Sequence, residues 1–288
     1  MSLAREIKEI CQKYEIRPFR ARGQNFLINE KILDRIVATA DIKKDDVVLE
    51  IGAGLGTITK KLAEKAKKVI AVEIDKKLVE ALREELKSYK NVEIIQEDIR
   101  KFPISDFSFD PELRTEGQFP IYKVVANLPF NITGRVLRLF LAELPQPQLM
   151  VLVLQREVVQ RICARPGQMS QLAVMVQFFS QPKIVTKISK NNFWPVPRVD
   201  SAIIRITPIG ADNKRGCQAR INADKFFETM RAGFSAPRKY LLNNLIKRGI
   251  IKREEGGKIW QKLGWNLKIR AQELSVEDWI KLVNRLIG

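Results

Sequence analysis

The sequence predicts an α/β fold in which helices cover a mainly parallel sheet of seven strands, followed by a small all-helical domain. Short runs rich in valine and isoleucine alternate with helical periodicity over the first two-thirds of the chain. This alternation is typical of a parallel sheet that is buried on both faces. Glycines cluster at the turn after the first of these strands, and the periodicity beyond residue 209 is helical only.

The segments before the sheet are helical and basic. Residues 3–14 form a predicted helix, and the arm that follows carries Arg17, Arg20 and Arg22. Asn29 is a predicted N-cap, because its side chain can accept hydrogen bonds from a helix whose apolar residues recur three and four positions apart.

The strands and helices of the sheet region follow from short β-branched runs and the segments between them. Five parallel strands are predicted at residues 47–51, 69–74, 92–96, 123–127 and 148–154. Two more, predicted at residues 183–189 and 201–207, would pair at the sheet edge. The helices of this region are predicted at residues 57–66, 76–87, 156–163 and 170–179.

The predicted domain boundary lies after residue 208. Residues 1–208, with an N-terminal arm of residues 1–28, form the sheet domain, and residues 209–288 form a basic helical domain. A loop insertion at residues 102–122 interrupts the sheet domain, and we assign it no role.

Composition limits the chemistry and indicates the partner. The 288 residues include no histidine and three scattered cysteines, so imidazole catalysis is excluded and no metal site is expected. The formal net charge is +18, and residues 211–288 supply half of it with 17 Lys and Arg against 8 Asp and Glu. Such an excess favours a polyanion such as nucleic acid over the alternative of a merely well-solvated surface.

Location follows from two further features of the sequence. No run of residues is long and apolar enough to span a bilayer. The first 14 residues lack the apolar core of a signal peptide. We therefore expect a cytoplasmic protein that does not bind membranes.

The glycine turn and two acidic residues predict a nucleoside site. Gly52 and Gly54 belong to a G-x-G-x-G turn that lets a ligand approach the backbone closely. Glu73, near the end of the second strand, can accept from both ribose hydroxyls, and Asp98, after the third strand, can accept from an adenine amine. These residues predict an adenosine-bearing cofactor and leave open NAD and S-adenosylmethionine.

The turn after the fourth strand predicts the reaction. Asn127-Leu128-Pro129-Phe130 can place the Asn127 side-chain oxygen and the Leu128 carbonyl on the two hydrogens of an adenine amine. Pro129 stiffens the turn, and Phe130 offers a face on which an extruded base can stack. No imidazole base is needed when the methyl donor is a sulfonium, because positioning does most of the work. Amino-group methylation is therefore predicted, with a simple proline-containing turn as the alternative.

Eight stretches together resemble the ribosomal RNA adenine N6-dimethyltransferase family of the KsgA (RsmA) type, over nearly the whole chain. They are GQNFL at 23–27, EIGAGLG at 50–56, VEID at 72–75, ED at 97–98, NLPFN at 127–131, QRE at 155–157, FWPVPRVDS at 193–201 and RAQELS at 270–275. Two positions depart from the pattern of that family. Phe130 stands where tyrosine is more usual, and Arg198 where lysine is common.

The resemblance implies a Rossmann-like class I methyltransferase that uses S-adenosylmethionine. It implies that the enzyme dimethylates N6 of two adjacent adenines near the 3′ end of small-subunit rRNA, in the context of the assembling small ribosomal subunit. The implied cofactor residues are Asn25, Leu27, Gly52, Gly54, Glu73, Asp98 and Asn127. The implied catalytic residues are Asn127, Leu128, Pro129, Phe130 and Phe193, where Phe193 would be the second stacking face.

Two basic regions are candidates for the RNA surface of a protein that we expect to be a monomer. One is the arm with Arg17, Arg20 and Arg22; the other is a basic series in the helical domain that includes Arg238, Lys239 and Arg248.

Three other functions stay open at this point. A large-subunit rRNA adenine methyltransferase of the antibiotic-resistance type shares the catalytic motifs. A non-catalytic RNA-binding assembly or transcription factor could be built on the same fold. An NAD-dependent dehydrogenase is disfavoured by the G-x-G-x-G spacing and by the turn at Asn127.

Overall fold

A computed structural model describes residues 2–19, 23–101, 122–129, 131–209 and 223–287. The chain forms two compact units. The first comprises Met1–Val159 and Lys183–Pro208, and the second comprises Gln160–Pro182 and Ile209–Gly288. Arg20, Arg22, Phe130 and all but the last residue of the predicted insertion at 102–122 lie outside the described residues.

The first unit is built on a seven-stranded sheet. Its strands are β2 (Val47–Ile51), β3 (Lys68–Glu73), β4 (Val92–Gln96), β5 (Tyr122–Asn127), β6 (Leu149–Gln155), β7 (Ser180–Ile188) and β9 (Ser201–Pro208). Their order across the sheet is β4-β3-β2-β5-β6-β9-β7. The first five are mutually parallel, whereas β9 runs antiparallel to β6. The predicted fold class is confirmed.

The helices of the first unit bury apolar residues that recur on one face. They are α1 (Leu3–Lys13), α2 (Glu30–Ala40), α3 (Thr57–Ala63), α4 (Lys76–Glu85), α5 (Thr133–Arg138), which continues into a π-helical turn at Leu139–Glu143, and α6 (Arg156–Ile162). Asn29 and Asp75 accept hydrogen bonds from the first turns of α2 and α4. Leu33, Ile36 and Val37 of α2 are buried against apolar sheet residues in one core cluster.

A two-stranded ribbon, which the sequence analysis did not predict, holds the N-terminal arm in place. β1 (Phe26–Leu27) pairs antiparallel with β8 (Phe193–Trp194), so that Leu27 lies opposite Phe193. A single turn of 3₁₀ helix, Lys190–Asn192, precedes β8. Ile7, Ile10 and Cys11 of α1 share a second apolar cluster with Phe26, so α1 and the arm are packed together.

The second unit is helical and includes one segment that we assigned to the sheet domain. Its helices are α7 (Gln171–Phe179), α8 (Ala223–Gly233), α9 (Leu241–Lys247), α10 (Arg253–Leu263) and α11 (Val276–Ile287), with a 3₁₀ turn at Ala271–Glu273. Phe178 of α7 stacks on Phe226 of α8 with ring centroids 3.8 Å apart. The single boundary after residue 208 is therefore wrong for residues 160–182, because the apolar face of α7 belongs to the core of the helical unit.

Within the residues that the structure describes, the helices are too short or too polar to cross a membrane.

Candidate active site

The parallel register brings the predicted site residues to one edge of the sheet. Ile51, at the end of β2, pairs with Val72 of β3 on one side and with Ala126 of β5 on the other. The residues that follow these strand ends therefore meet at the carboxyl edge, where open α/β sheets bind their ligands.

A cavity of about 440 Å³ opens at this edge, a volume typical of small-molecule sites. Its lining includes eight of the predicted site residues, namely Asn25, Leu27, Gly52, Gly54, Glu73, Asp98, Asn127 and Pro129. Glu50, Ile74, Ile99 and Arg100 also line it and were not predicted as site residues. The sequence thus identified the cavity but only part of its wall.

Gly54 brings the glycine turn against the arm. Its φ of +59° lies in the left-handed region, and a Cβ there would come within 3.3 Å of the Phe26 ring. The Gly54 N–H donates to Glu73 Oε2 at 3.0 Å. The turn is thereby tied to β3 on one side and covered by the arm on the other.

Glu73 is held rigidly as a buried carboxylate. Besides the Gly54 bond, its Oε1 accepts from the backbone N–H groups of Ile74 at 2.8 Å and Asp75 at 3.0 Å. Burial raises the pKa of Glu73, and these three backbone donors oppose that rise. A carboxylate has about four acceptor sites, so capacity remains for a hydroxyl donor in the cavity.

Asp98 forms an ion pair with Arg100, which the sequence analysis did not predict. Arg100 Nε donates to Asp98 Oδ1 at 2.9 Å, and Arg100 Nη2 donates to Oδ2 at 2.6 Å. These bonds lower the pKa of Asp98, so the carboxylate is ionised at neutral pH. An amine that reached Asp98 would share it with Arg100.

Glu50 is the main residue that the sequence analysis missed. It lies in β2, where all five residues are buried, and is itself only 1% exposed. Burial raises the pKa of Glu50 to about 8; the negative charge of Glu73 adds to this rise, and the Thr59 hydroxyl opposes it. An ionisable residue inside an otherwise apolar strand was the signal that could have identified it.

The Asn127 amide has one defined orientation. Its Nδ2 donates to the main-chain carbonyl of Asn25 at 3.1 Å. Because only the amide nitrogen can donate to a carbonyl, the oxygen Oδ1 must lie on the other side of the side chain. Asn127 also lines the cavity, so the amide supplies an acceptor at the end of β5.

The arm lies directly on the turn that follows Asn127. Gly23 has a φ of +68°, and a Cβ there would lie 2.8 Å from Pro129 Cβ and 2.9 Å from Pro129 Cα. Gln24 Nε2 donates to Asp75 Oδ2 at 3.2 Å, while Gln24 Oε1 accepts from Phe19 N at 2.8 Å. The arm therefore joins the end of β3 to the turn after β5.

Two other predicted catalytic residues, Leu128 and Phe193, do not line the cavity. Leu128 is buried, and its N–H donates to Val153 O at 3.2 Å, which fixes the peptide at this turn. Phe193 is only 2% exposed and packs in the apolar core. Its pairing partner Leu27 belongs to the same core cluster. The expectation that Phe193 offers an open stacking face is wrong in this conformation, because its ring points into the core. Phe130 is not among the described residues.

The described RNA-surface candidates are all exposed. Arg17 belongs to the first unit, and Arg238, Lys239 and Arg248 belong to the second. In the second unit, the buried Asn244 amide donates to Gly233 O at 2.7 Å and to Ala236 O at 3.0 Å. Asn244 thus holds the loop that presents Arg238 and Lys239.

Four features together define a class I methyltransferase. They are the sheet order, the glycine turn after β2, an acidic residue at the end of β3 and another after β4, and the Asn-Leu-Pro turn that begins at the end of β5. The chain matches the family described as ribosomal RNA adenine dimethylase over residues 19–287. It belongs to that family, and the resemblance inferred from the motifs is confirmed.

Similar proteins include one relative found by sequence and two found by structure. A ribosomal RNA small subunit methyltransferase A from Dehalococcoides mccartyi is 38% identical, covering 96% of this chain and 91% of the relative. A dimethyladenosine transferase from Plasmodium falciparum has a TM-score of 0.73 at 25% identity, covering 89% of this chain and 95% of that one. The 23S rRNA methyltransferase ErmE has a TM-score of 0.69 at 26% identity, covering 92% of this chain and 100% of that one.

The contact between Gly23 and Pro129 can be tested by substitution. We expect Gly23→Ala to destabilise the protein by about 1–3 kcal/mol, because the new methyl group overlaps Pro129 and the backbone is left-handed. Thermal unfolding should show a lower Tm, and chymotrypsin should cleave faster after Phe26, which is buried while the arm is docked.

The matched control is Gly134→Ala in α5, where a Cβ meets no atom within 4 Å. It should leave the Tm unchanged or raise it, because alanine favours helix by up to about 1 kcal/mol. An unchanged Tm and cleavage rate in Gly23→Ala would contradict the proposed docking of the arm.

Proposed function

We propose that the protein transfers methyl groups from S-adenosylmethionine to N6 of two adjacent adenines near the 3′ end of small-subunit rRNA, forming N6,N6-dimethyladenosine. The observation that carries this proposal is the orientation of Asn127, whose amide nitrogen is occupied by Asn25 O and whose oxygen is therefore an acceptor at the cavity. The assembling small subunit in the cytoplasm is the proposed partner, with the protein acting as a monomer.

The cavity fits this cofactor better than a dinucleotide. Glu73 can accept from ribose hydroxyls, and Asp98 from the adenine amine. The buried atoms Glu50 Oε2 and Asn25 Oδ1 make no hydrogen bond to any described residue, so both are acceptors suited to an ammonium donor. The Glu73 carboxylate would repel a pyrophosphate, and the lining cation Arg100 is already bound to Asp98.

The chain's own residues position the acceptor amine. When bound, the cofactor supplies a methyl group on a positively charged sulfur. The Asn127 oxygen and the Leu128 carbonyl accept the two N–H groups of adenine, which draws the nitrogen lone pair out of conjugation with the ring. The bond from Leu128 N to Val153 O and the rigid Pro129 ring hold the turn in place, so the gain comes mainly from orientation.

Stacking of the target base is assigned to Phe130 alone. Stacking on an aromatic face is worth about 1–3 kcal/mol per base, comparable with the free energy of unstacking. After the first transfer one N–H remains, so one of the two acceptors loses its partner and the site must admit a methyl group. The second transfer therefore depends on whichever acceptor keeps the remaining hydrogen.

RNA affinity is assigned to cations of both units. Arg17 and, outside the described residues, Arg20 and Arg22 would contact phosphates beside the active site. Arg238 and Lys239, on the loop that Asn244 holds, and Arg248 would do so from the helical unit. Phosphate contacts give affinity, whereas RNA shape selects the site.

A second candidate is large-subunit rRNA methylation of the resistance type, which the structural likeness to ErmE favours. The catalytic turn cannot separate the two, because both reactions have the same acceptor group. We prefer the small subunit because the more similar relatives carry that name.

Replacing Asn127 tests the proposed mechanism. We expect Asn127→Ala to slow methyl transfer to small subunits by about 10²-fold or more, because removing one such polar contact at a reacting group has an effect of that order. The variant should still bind S-adenosylhomocysteine, and its affinity, measured by calorimetry, should fall by less than the rate does, because Glu73, Asp98 and the glycine turn remain. Asn191→Ala, an exposed asparagine elsewhere in the unit, is the control and should be as active as the parent. Dimethylation retained in Asn127→Ala would refute the mechanism.

Salt dependence tests the RNA surface. The double variant Arg238→Ala/Lys239→Ala should bind rRNA more weakly and reduce the slope of log K against log salt by about 0.7–0.9 for each phosphate that is no longer neutralised. Arg83→Ala, an exposed arginine on α4, should leave the slope unchanged. Equal slopes in the parent and both variants would show that the loop with Arg238 and Lys239 does not contact RNA phosphates.

A further inference from the structure

Glu50 is a buried acid for which the methyl transfer has no use. It lies between β3 and β5 in the sheet, opposite Ala71 and Val125, and lines the cavity from its floor. Its side chain is 1% exposed, and Oε2 has no hydrogen-bond partner among the described residues. An isolated carboxylate in such a place is far more stable protonated than charged.

The groups around Glu50 give it no positive partner among the described residues. β3 presents Glu73, which is negative; α3 presents the Thr59 hydroxyl; β5 and the arm contribute the neutral Asn127 and Asn25 to the same cavity. The two lysines of α3 are engaged elsewhere: Lys60 with Glu6 and Glu85, and Lys61 with Asp34. Glu50 and Glu73 are thus two buried acids from adjacent strands with no described cation between them.

We propose that Glu50 is protonated while the cavity is empty and gives up its proton to solvent when the ammonium group of the bound cofactor arrives. An ammonium brings the positive charge that the cavity lacks, and an ionised Glu50 can accept its hydrogen bonds. The O–H bond of the Glu50 carboxyl breaks, and the proton passes to the buffer. This inference rests on the proposed cofactor and concerns how the chain binds it.

The sign of the pH dependence follows from this exchange. The pKa of Glu50, raised by burial to about 8 in the free protein, falls once an ammonium lies beside it. Binding therefore favours the deprotonated form, and affinity should rise by up to about tenfold per pH unit below pH 8. Above the pKa of the free protein the dependence should disappear.

Isothermal titration calorimetry of the full chain in two buffers of different ionisation enthalpy measures the protons released. The probes are S-adenosylhomocysteine, which has the ammonium group, and 5′-methylthioadenosine, which lacks the amino-acid portion. At pH 7, S-adenosylhomocysteine should release close to one proton and 5′-methylthioadenosine almost none. Titrations between pH 6 and 7.5 should show the affinity of the first probe rising and that of the second constant.

Two variants assign the proton. Glu50→Gln, which resembles the protonated acid in shape, should bind S-adenosylhomocysteine with no proton release and no pH dependence. Glu93→Gln, at an exposed position of β4, should behave as the parent. If Glu50→Gln still releases a proton, that proton must come from another group such as Glu73, and the proposal is overturned.

The outcomes also separate this inference from the function on which it rests. Binding of S-adenosylhomocysteine by the parent without proton release overturns the role of Glu50 and leaves the proposed methyltransferase function intact. No binding of either nucleoside overturns both.

Discussion

The hydrogen bond from the Asn127 amide to the Asn25 carbonyl is the contact on which the arrangement of the site depends. It fixes the side-chain oxygen as an acceptor and attaches the arm to the turn that would hold the target adenine. The same arm covers the glycine turn through Phe26 and reaches Asp75 through Gln24. One continuous segment, the arm, therefore both lines the cavity and contacts the acceptor turn.

Charge is the second organising feature. Glu50 and Glu73 are both buried in the cavity wall, where the pKa of each is raised mainly by burial. Asp98 stays ionised because Arg100 holds it. Such a wall favours a ligand that carries positive charge over a phosphate, which supports the proposed sulfonium nucleoside as the cofactor. The excess of lysine and arginine lies on the exposed surfaces instead, where it can meet RNA phosphates.

The sequence predicted the site correctly where the position of a side chain follows from the end of a single strand. Strand periodicity placed Glu73, Asp98 and Asn127 at successive carboxyl ends, and eight predicted residues line one cavity. The orientation of Phe193 was not predicted, because it depends on pairing with Leu27, which lies far away in the sequence. Strands of two residues are too short to show an alternating pattern of apolar residues. Residues 160–182 were assigned to the wrong unit because an apolar helix face does not show in the sequence which core it packs against. In the structure, Phe178 of α7 stacks on Phe226 of the helical unit. Glu50 was overlooked because the apolar strand around it dominated the pattern.

Methylation of adenine amines of the small ribosomal subunit is the reaction proposed for this site. The most direct measurement is transfer of labelled methyl groups from S-adenosylmethionine to unmodified small and large subunits in parallel, with the modified nucleoside identified. We expect N6,N6-dimethyladenosine in the small subunit only. Label in the large subunit would contradict the substrate assignment and favour the resistance-type reaction, and no label in either, with RNA still bound, would contradict catalysis itself.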